Sequence, residues 1–144
     1  MILVPVAKEK RAVQVLYDLL KERTPEQSIS HARMPTMEEH AAFVRSSPYA
    51  AWYLIEVLPI SYEAAVFGRQ KPTCVGATYL TKQREVGIFI FRAHQGKGYA
   101  REAIALLREK HPGRLLANVN PDNEASNLLF KRMGGKVIQV TYAL

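Results

Sequence analysis

The chain has 144 residues, of which 48% are hydrophobic and 23% charged, the balance of an ordinary soluble domain with a single core. No apolar run is long enough to cross a bilayer, the start Met1-Ile2-Leu3-Val4-Pro5 lacks the features of a signal peptide, and the lone Cys74 excludes an internal disulfide, so a cytoplasmic location is expected. The formal net charge of +7 favours anionic partners, yet the basic residues are scattered without a dense run or interleaved aromatics, which argues against nucleic acid.

Ile2 to Val6 reads as a short strand. Lys8 to Arg23 follows with Ala12, Val13, Val15, Leu16, Leu19 and Leu20 at helical spacing, and Thr24-Pro25 stops it. The segment 26–35 is polar and irregular. Thr36 and Glu39 form a capping-box pattern that predicts a helix to about Arg45, ended by Ser46-Ser47-Pro48. Ala51 to Leu58, rich in aromatic and β-branched residues, reads as a strand. Pro59 to Lys71 reads as a long connection or a short helical turn at Tyr62 to Val66. Pro72 to Thr81 and Glu85 to Phe91, joined by the polar turn Lys82-Gln83-Arg84, complete an antiparallel meander. Cys74 lies in the second of these strands and reads as a buried, inert thiol.

Gly98 to Lys110 is helical, with Ala103, Ile104, Leu106 and Leu107 on one side, and Pro112-Gly113 ends it. Arg114 to Val119 is a strand that should run parallel to Glu85–Phe91, because a helix intervenes. After the turn Asn120-Pro121-Asp122-Asn123, Glu124 to Met133 is an amphipathic helix capped by Gly134-Gly135. Lys136 to Tyr142 is the last strand. No repeat or linker divides the chain, so residues 1–144 are expected to form one domain.

The stretch from His94 to Arg101 joins a strand to a helix through two glycines and a lysine, with no carboxylate. Such a turn gathers backbone N–H groups at the positive end of a helix dipole, an arrangement that binds phosphate or pyrophosphate. It matches neither the Walker loop, since one residue separates Gly96 from Gly98, nor the dinucleotide fingerprint, since Arg101 stands where a third glycine is needed.

Gln95-Gly96-Lys97-Gly98-Tyr99-Ala100 matches the signature Gln/Arg-x-x-Gly-x-Gly/Ala of the GNAT superfamily of acetyl-coenzyme A-dependent N-acetyltransferases. A second match, Asn120 to Ser126 with Phe130 and Gly134 following, stands about thirty residues on. The order of elements also resembles that family along the whole chain. The resemblance implies an α/β (α+β) GNAT fold: a central, mixed, mostly antiparallel twisted sheet of about six strands, splayed between strands 4 and 5 and flanked by about four helices. It implies acetyl-CoA as cofactor. Pyrophosphate would be bound by Gln95, Gly96, Lys97, Gly98, Tyr99, Ala100 and Arg101, and pantetheine by the edge Phe89, Ile90, Phe91. Asn123 would contact the pantetheine chain or the far lip of the notch, or serve as a turn residue or N-cap; Phe130 would pack near the thioester end or in the core; Ser126 would join the cofactor site.

The implied reaction is direct attack of a primary amine on the thioester. It needs a group to take a proton and an N–H donor for the developing oxygen charge, and the Ile90 amide fills the donor role by resemblance. Glu85 is the candidate general base, four residues before Phe89, with Glu56 second. Many relatives carry a Tyr seven residues after the Asn matched by Asn123; here Phe130 stands there and has no proton to give, so either Tyr142 or Tyr99 is the acid or none is needed. The acceptor side would draw on Ser30, His31, Trp52 and Glu56, with Ser28, His40 and Tyr49 in the same region. A small amine is the expected partner, an amino-sugar nucleotide being one candidate. A homodimer completing the acceptor site, a non-catalytic acyl-CoA-binding module, and a protein or peptide acetyltransferase remain open.

Overall fold

The structure, a computed structural model, describes residues 1–24, 33–59, 66 and 71–144. The expected turn at Tyr62 to Val66 and the candidates Ser28, Ser30 and His31 lie outside the described residues, Val66 apart. Four strands form one antiparallel sheet in chain order: β1 (Ile2–Pro5), β2 (Ala51–Val57), β3 (Thr73–Leu80) and β4 (Val86–Ile90). The three meander strands agree with the sequence expectation to within one residue at each end. Their alternating apolar pattern places one set of side chains on each face.

One face carries Ile55, Val75, Leu80, Val86, Ile88 and Ile90, packed with Ala103, Ile104 and Leu107 of the helix α3 (Tyr99–Lys110). The other carries Leu54, Ala77, Trp52 and Phe89, packed with Ala12, Leu16 and Leu19 of α1 (Ala12–Lys21) and Val44 of α2 (Met37–Arg45). Leu54, Ile55, Leu80 and Leu107 are fully buried, each contributing about 1.5–3 kcal/mol through area removed from water. A bulge between Ile55 and Glu56 shifts the β2–β3 register, so that Glu56 faces Cys74 while Ile55 faces Gly76.

Helix boundaries follow local chemistry. α1 starts later than the periodicity suggests. A 3-10 turn (Val6–Lys8) comes first, and the Glu9 carboxylate then binds the Arg11 N–H at 3.0 Å and its Nε at 3.1 Å, holding that stretch out of the helix. The capping box opening α2 is formed in both directions: Thr36 Oγ1 accepts from Glu39 N–H, and Glu39 Oε1 accepts from Thr36 N–H. The buried His40 donates from Nε2 to the Val13 carbonyl at 2.9 Å, so it ties α2 to α1 rather than facing an acceptor. α4 (Glu124–Arg132) ends in a Schellman motif: Gly134 has φ 84°, its N–H reaches Lys131 O, and Gly135 N–H reaches Phe130 O at 2.8 Å.

Two expected strands take another form. The segment 114–119 meets β4 through a single parallel bridge, Glu85 with Leu116. The segment 136–142 pairs with nothing among the described residues and is exposed throughout; Tyr142 is 83% exposed, so the structure does not seat this candidate acid in the body of the fold. Among the described residues the sheet therefore has four strands instead of about six. β-propensity marks both segments, but pairing is a long-range event that propensity does not decide. No helix among the described residues is long and apolar enough to cross a membrane.

Candidate functional site

The glycine turn is placed by β4 on one side and α3 on the other. Leaving β4, the chain makes a 3-10 turn (Arg92–His94), in which His94 N–H bonds Phe91 O at 2.8 Å. The Arg92 N–H donates to Glu22 Oε2 at 2.8 Å, fastening the turn to the end of α1. Gly96 has φ 75° and Gly98, the N-cap of α3, has φ 82°. A side chain at either glycine would meet no atom within 4 Å, so the glycines serve the backbone path and an open approach rather than internal packing. The N–H groups of Gly96 through Arg101 find no partner among the described residues. Lys97 and Arg101 are exposed beside them, while Tyr99 packs against the core.

The edge of β4 is open just before this turn. Val86 N–H bonds Leu116 O at 2.8 Å and Leu116 N–H bonds Arg84 O at 2.9 Å, after which no further rung joins the two segments among the described residues. Backbone polar groups alternate along a strand. Thr81 N–H to Glu85 O and Phe91 N–H to Val75 O show that odd-numbered residues address β3. Ile88 and Ile90 therefore face the open side. This corrects the expected edge: Phe89 bonds toward β3, and both backbone groups of Phe91 are engaged, by Val75 and His94. Gln95 Nε2 donates to the outward Ile90 carbonyl at 3.0 Å, linking the first residue of the glycine signature to that edge.

Across the gap, Asn123 is the N-cap of α4, its Oδ1 accepting from Ser126 N–H at 3.0 Å. The cap occupies Asn123 Oδ1 and the Ser126 amide, leaving the Asn123 Nδ2 and the Ser126 hydroxyl for other contacts. Asn127 Nδ2 holds the carbonyls of Asn120, Pro121 and Asn123 at 3.0–3.3 Å, which fixes the turn. Phe130 packs with the α3-side core.

On the α1–α2 face the strand period places Glu85, Gly87 and Phe89 together. Glu85 is partly exposed, and its charge reaches Tyr79. Tyr79 lies directly over Gly87, where an added Cβ would come within 2.1 Å of the ring. Tyr49 stacks on Tyr79 with centroids 4.0 Å apart and planes 5° from parallel, and Trp52 meets Tyr49 edge-on at 4.8 Å. Burial pushes the Tyr49 hydroxyl up to about 12 and raises Tyr79 as well. Glu56 is buried and ion-paired with Arg11 at 2.9 Å, so its charge is already answered by the protein.

Arg23 joins this face from just beyond α1. Its guanidinium carbon lies 4.4 Å from the Phe89 ring centroid, and its buried Nε has no hydrogen-bond partner among the described residues. The cation–π contact stabilises by about 0.5–2 kcal/mol, whereas a buried unpaired donor costs about 1–3 kcal/mol. Nothing in the sequence singles out Arg23, which reads as a solvated charge at a helix end. The one hint of the ring cluster is a glycine, Gly87, inside an apolar strand.

A sequence model described as an acetyltransferase (GNAT) domain matches residues 1–136. The chain belongs to the GNAT acetyltransferase domain family. Curated proteins contain no match to the sequence. Among solved structures, this GNAT domain is similar to a domain from Methanocaldococcus jannaschii DSM 2661, with 17% identity, TM-score 0.74, and coverage of 94% of this chain and 87% of that one. An N-acetyltransferase from Staphylococcus aureus Mu50 matches at 14% identity and TM-score 0.59, over 92% and 80% of the two chains. A Salmonella typhimurium protein described as a candidate acetyltransferase, solved with its cofactor acetyl-CoA, matches at 15% identity and TM-score 0.60, over 92% and 76%. At these identities the likeness is one of fold. It agrees with the mixed α/β architecture, an antiparallel sheet flanked by helices, of this GNAT domain.

Proposed function

We propose that this GNAT domain is an N-acetyltransferase that moves an acetyl group from acetyl-CoA to a primary amine of a small molecule. The observation that carries the reading is the open β4 edge, with Ile88 and Ile90 facing outward, next to a turn whose amides from Gly96 to Arg101 have no partner among the described residues. The residues present fit the cofactor. The amides and the start of α3 suit a pyrophosphate, Lys97 and Arg101 add charge, and the clear space over Gly96 and Gly98 admits a close approach. The pantetheine arm would take the outward groups of Ile88 as an added strand does, the Ile90 carbonyl being held by Gln95. When bound, acetyl-CoA supplies an acetyl group activated as a thioester.

The chain's own groups then have defined tasks. Glu85 takes a proton from the acceptor ammonium, so that the nitrogen has a lone pair. The Ile90 N–H, outward and without a partner among the described residues, donates where negative charge develops on oxygen. Phe130 brings no acid, and none is required, since a sulfur whose thiol has an ordinary pKa of about 8.5 would depart as the thiolate and take up its proton from solvent. Release of free thiol from acetyl-CoA with a panel of primary amines tests the reading; release above the amine-free rate is expected for at least one. The lack of an acid at Phe130 favours one second reading, a module that binds acyl-CoA without turning it over. Saturable binding with no thiol release for any amine is its signature.

A further inference from the structure

Arg23 and Trp52 carry the buried side-chain nitrogens, Nε and Nε1, that lack a hydrogen-bond partner among the described residues. Both belong to one connected cluster of rings. Arg23 lies over Phe89, Phe89 is 6.3 Å from Tyr79, Tyr79 stacks on Tyr49, and Tyr49 meets Trp52. A guanidinium among aromatic rings is stabilised by their faces but not hydrogen-bonded by them, so its donors remain aimed at something with lone pairs. Nothing among the described residues provides it for Nε. The adjacent carboxylate, Glu22, is engaged by the Arg92 amide, and no described ion pair includes Arg23. Burial holds the guanidinium below its ordinary range.

We propose that Arg23 and the rings of Tyr49, Trp52, Tyr79 and Phe89 form the subsite for an oxyanion, a carboxylate or phosphate, carried by the amine that this domain acetylates. The inference rests on the acetyltransferase reading and adds a substrate class to it. The geometry suits such a molecule. Arg23 lies over the Phe89 ring, and the strand period places Glu85 on the same sheet face as Phe89. The anion goes to Arg23, the ammonium to Glu85 beside the open edge, and the apolar body between them lies against the rings. A guanidinium fork matches either oxyanion in bidentate fashion.

The test uses the chain's single tryptophan, which is Trp52 itself, as a local fluorescence probe. CoA-loaded protein is titrated with L-phenylalanine and L-phenylalaninamide, and with glucosamine 6-phosphate and glucosamine; the same pairs are run as acceptors in thiol release. In the wild type, the anionic member of at least one pair should perturb Trp52 and bind about tenfold tighter or more, as a charged hydrogen bond allows. Arg23→Gln should erase that advantage, Arg23→Lys should keep part of it, and both should bind CoA as the wild type does, with unchanged circular dichroism. Equal binding of charged and neutral members throughout, or a preference that survives Arg23→Gln, overturns the proposal. Arg23-dependent anion binding without thiol release would leave the subsite standing and remove the acetyltransferase reading. Turnover without any charge preference would do the reverse.

Discussion

Gly98 shows how one residue can serve two purposes that a paired substitution separates. Its φ of 82° tolerates Asn or Asp better than other side chains, so Gly98→Asn and Gly98→Asp carry similar backbone strain. A carboxylate about 6 Å from two phosphate charges in water costs ~0.7 kcal/mol for each, or about tenfold in affinity together. Calorimetry should therefore find Gly98→Asp about tenfold weaker for acetyl-CoA than Gly98→Asn; equal affinities would place the pyrophosphate elsewhere. Glu85→Gln should lower kcat about 100-fold or more with cofactor affinity intact. An unchanged pH–rate profile would take Glu85 out of the base role. The tyrosine pair gives a prediction at alkaline pH. Tyr49 is raised from 10.0 to about 12 in the fold, so its contribution to stability is intact below pH 10 and is lost as pH rises from 10 through about 12. Phenolate absorbance and unfolding should rise together in that window; a phenolate signal complete before any loss of structure would contradict the burial of this pair.

At the scale of elements, the helices and meander were legible because their signals lie within a few residues of one another. Thr36 and Glu39 bind each other's amides, and Gly134 closes α4, as their spacing predicts. The role of Asn123 was not legible in the same way, since a turn residue, an N-cap and a ligand contact share one sequence pattern. The cap is now visible, and two substitutions separate it from any cofactor contact. Asn123→Ala should destabilise the protein by about 1 kcal/mol in urea unfolding, while Asn123→Ser, which retains a capping oxygen, should cost little. Acetyl-CoA affinity that falls in the Ser variant at unchanged stability would assign the Asn123 Nδ2 to the cofactor. Wild-type affinity in both variants would confine Asn123 to the cap.

Over the whole molecule, the last nine residues stand apart. Val137, Ile138, Val140, Tyr142 and Leu144 are 63–124% exposed. They bury little within the chain, so removing residues 136–144 should move Tm by only about 2–3 °C, the usual range for exposed positions. A much larger drop in calorimetry would mean that this segment finds a partner outside the chain. The glycine turn, the helix caps and the meander could be read from the chain alone, because backbone conformation there is decided by neighbours one to four residues away. Three features awaited the tertiary structure. The single rung at Leu116 leaves the β4 edge open, the strand period turns Ile88 and Ile90 outward instead of Phe89, and Arg23 meets a ring 66 residues further along the chain. Each depends on strand register and on contacts between distant residues, and those are settled only when the two faces of the sheet compete for the same apolar side chains.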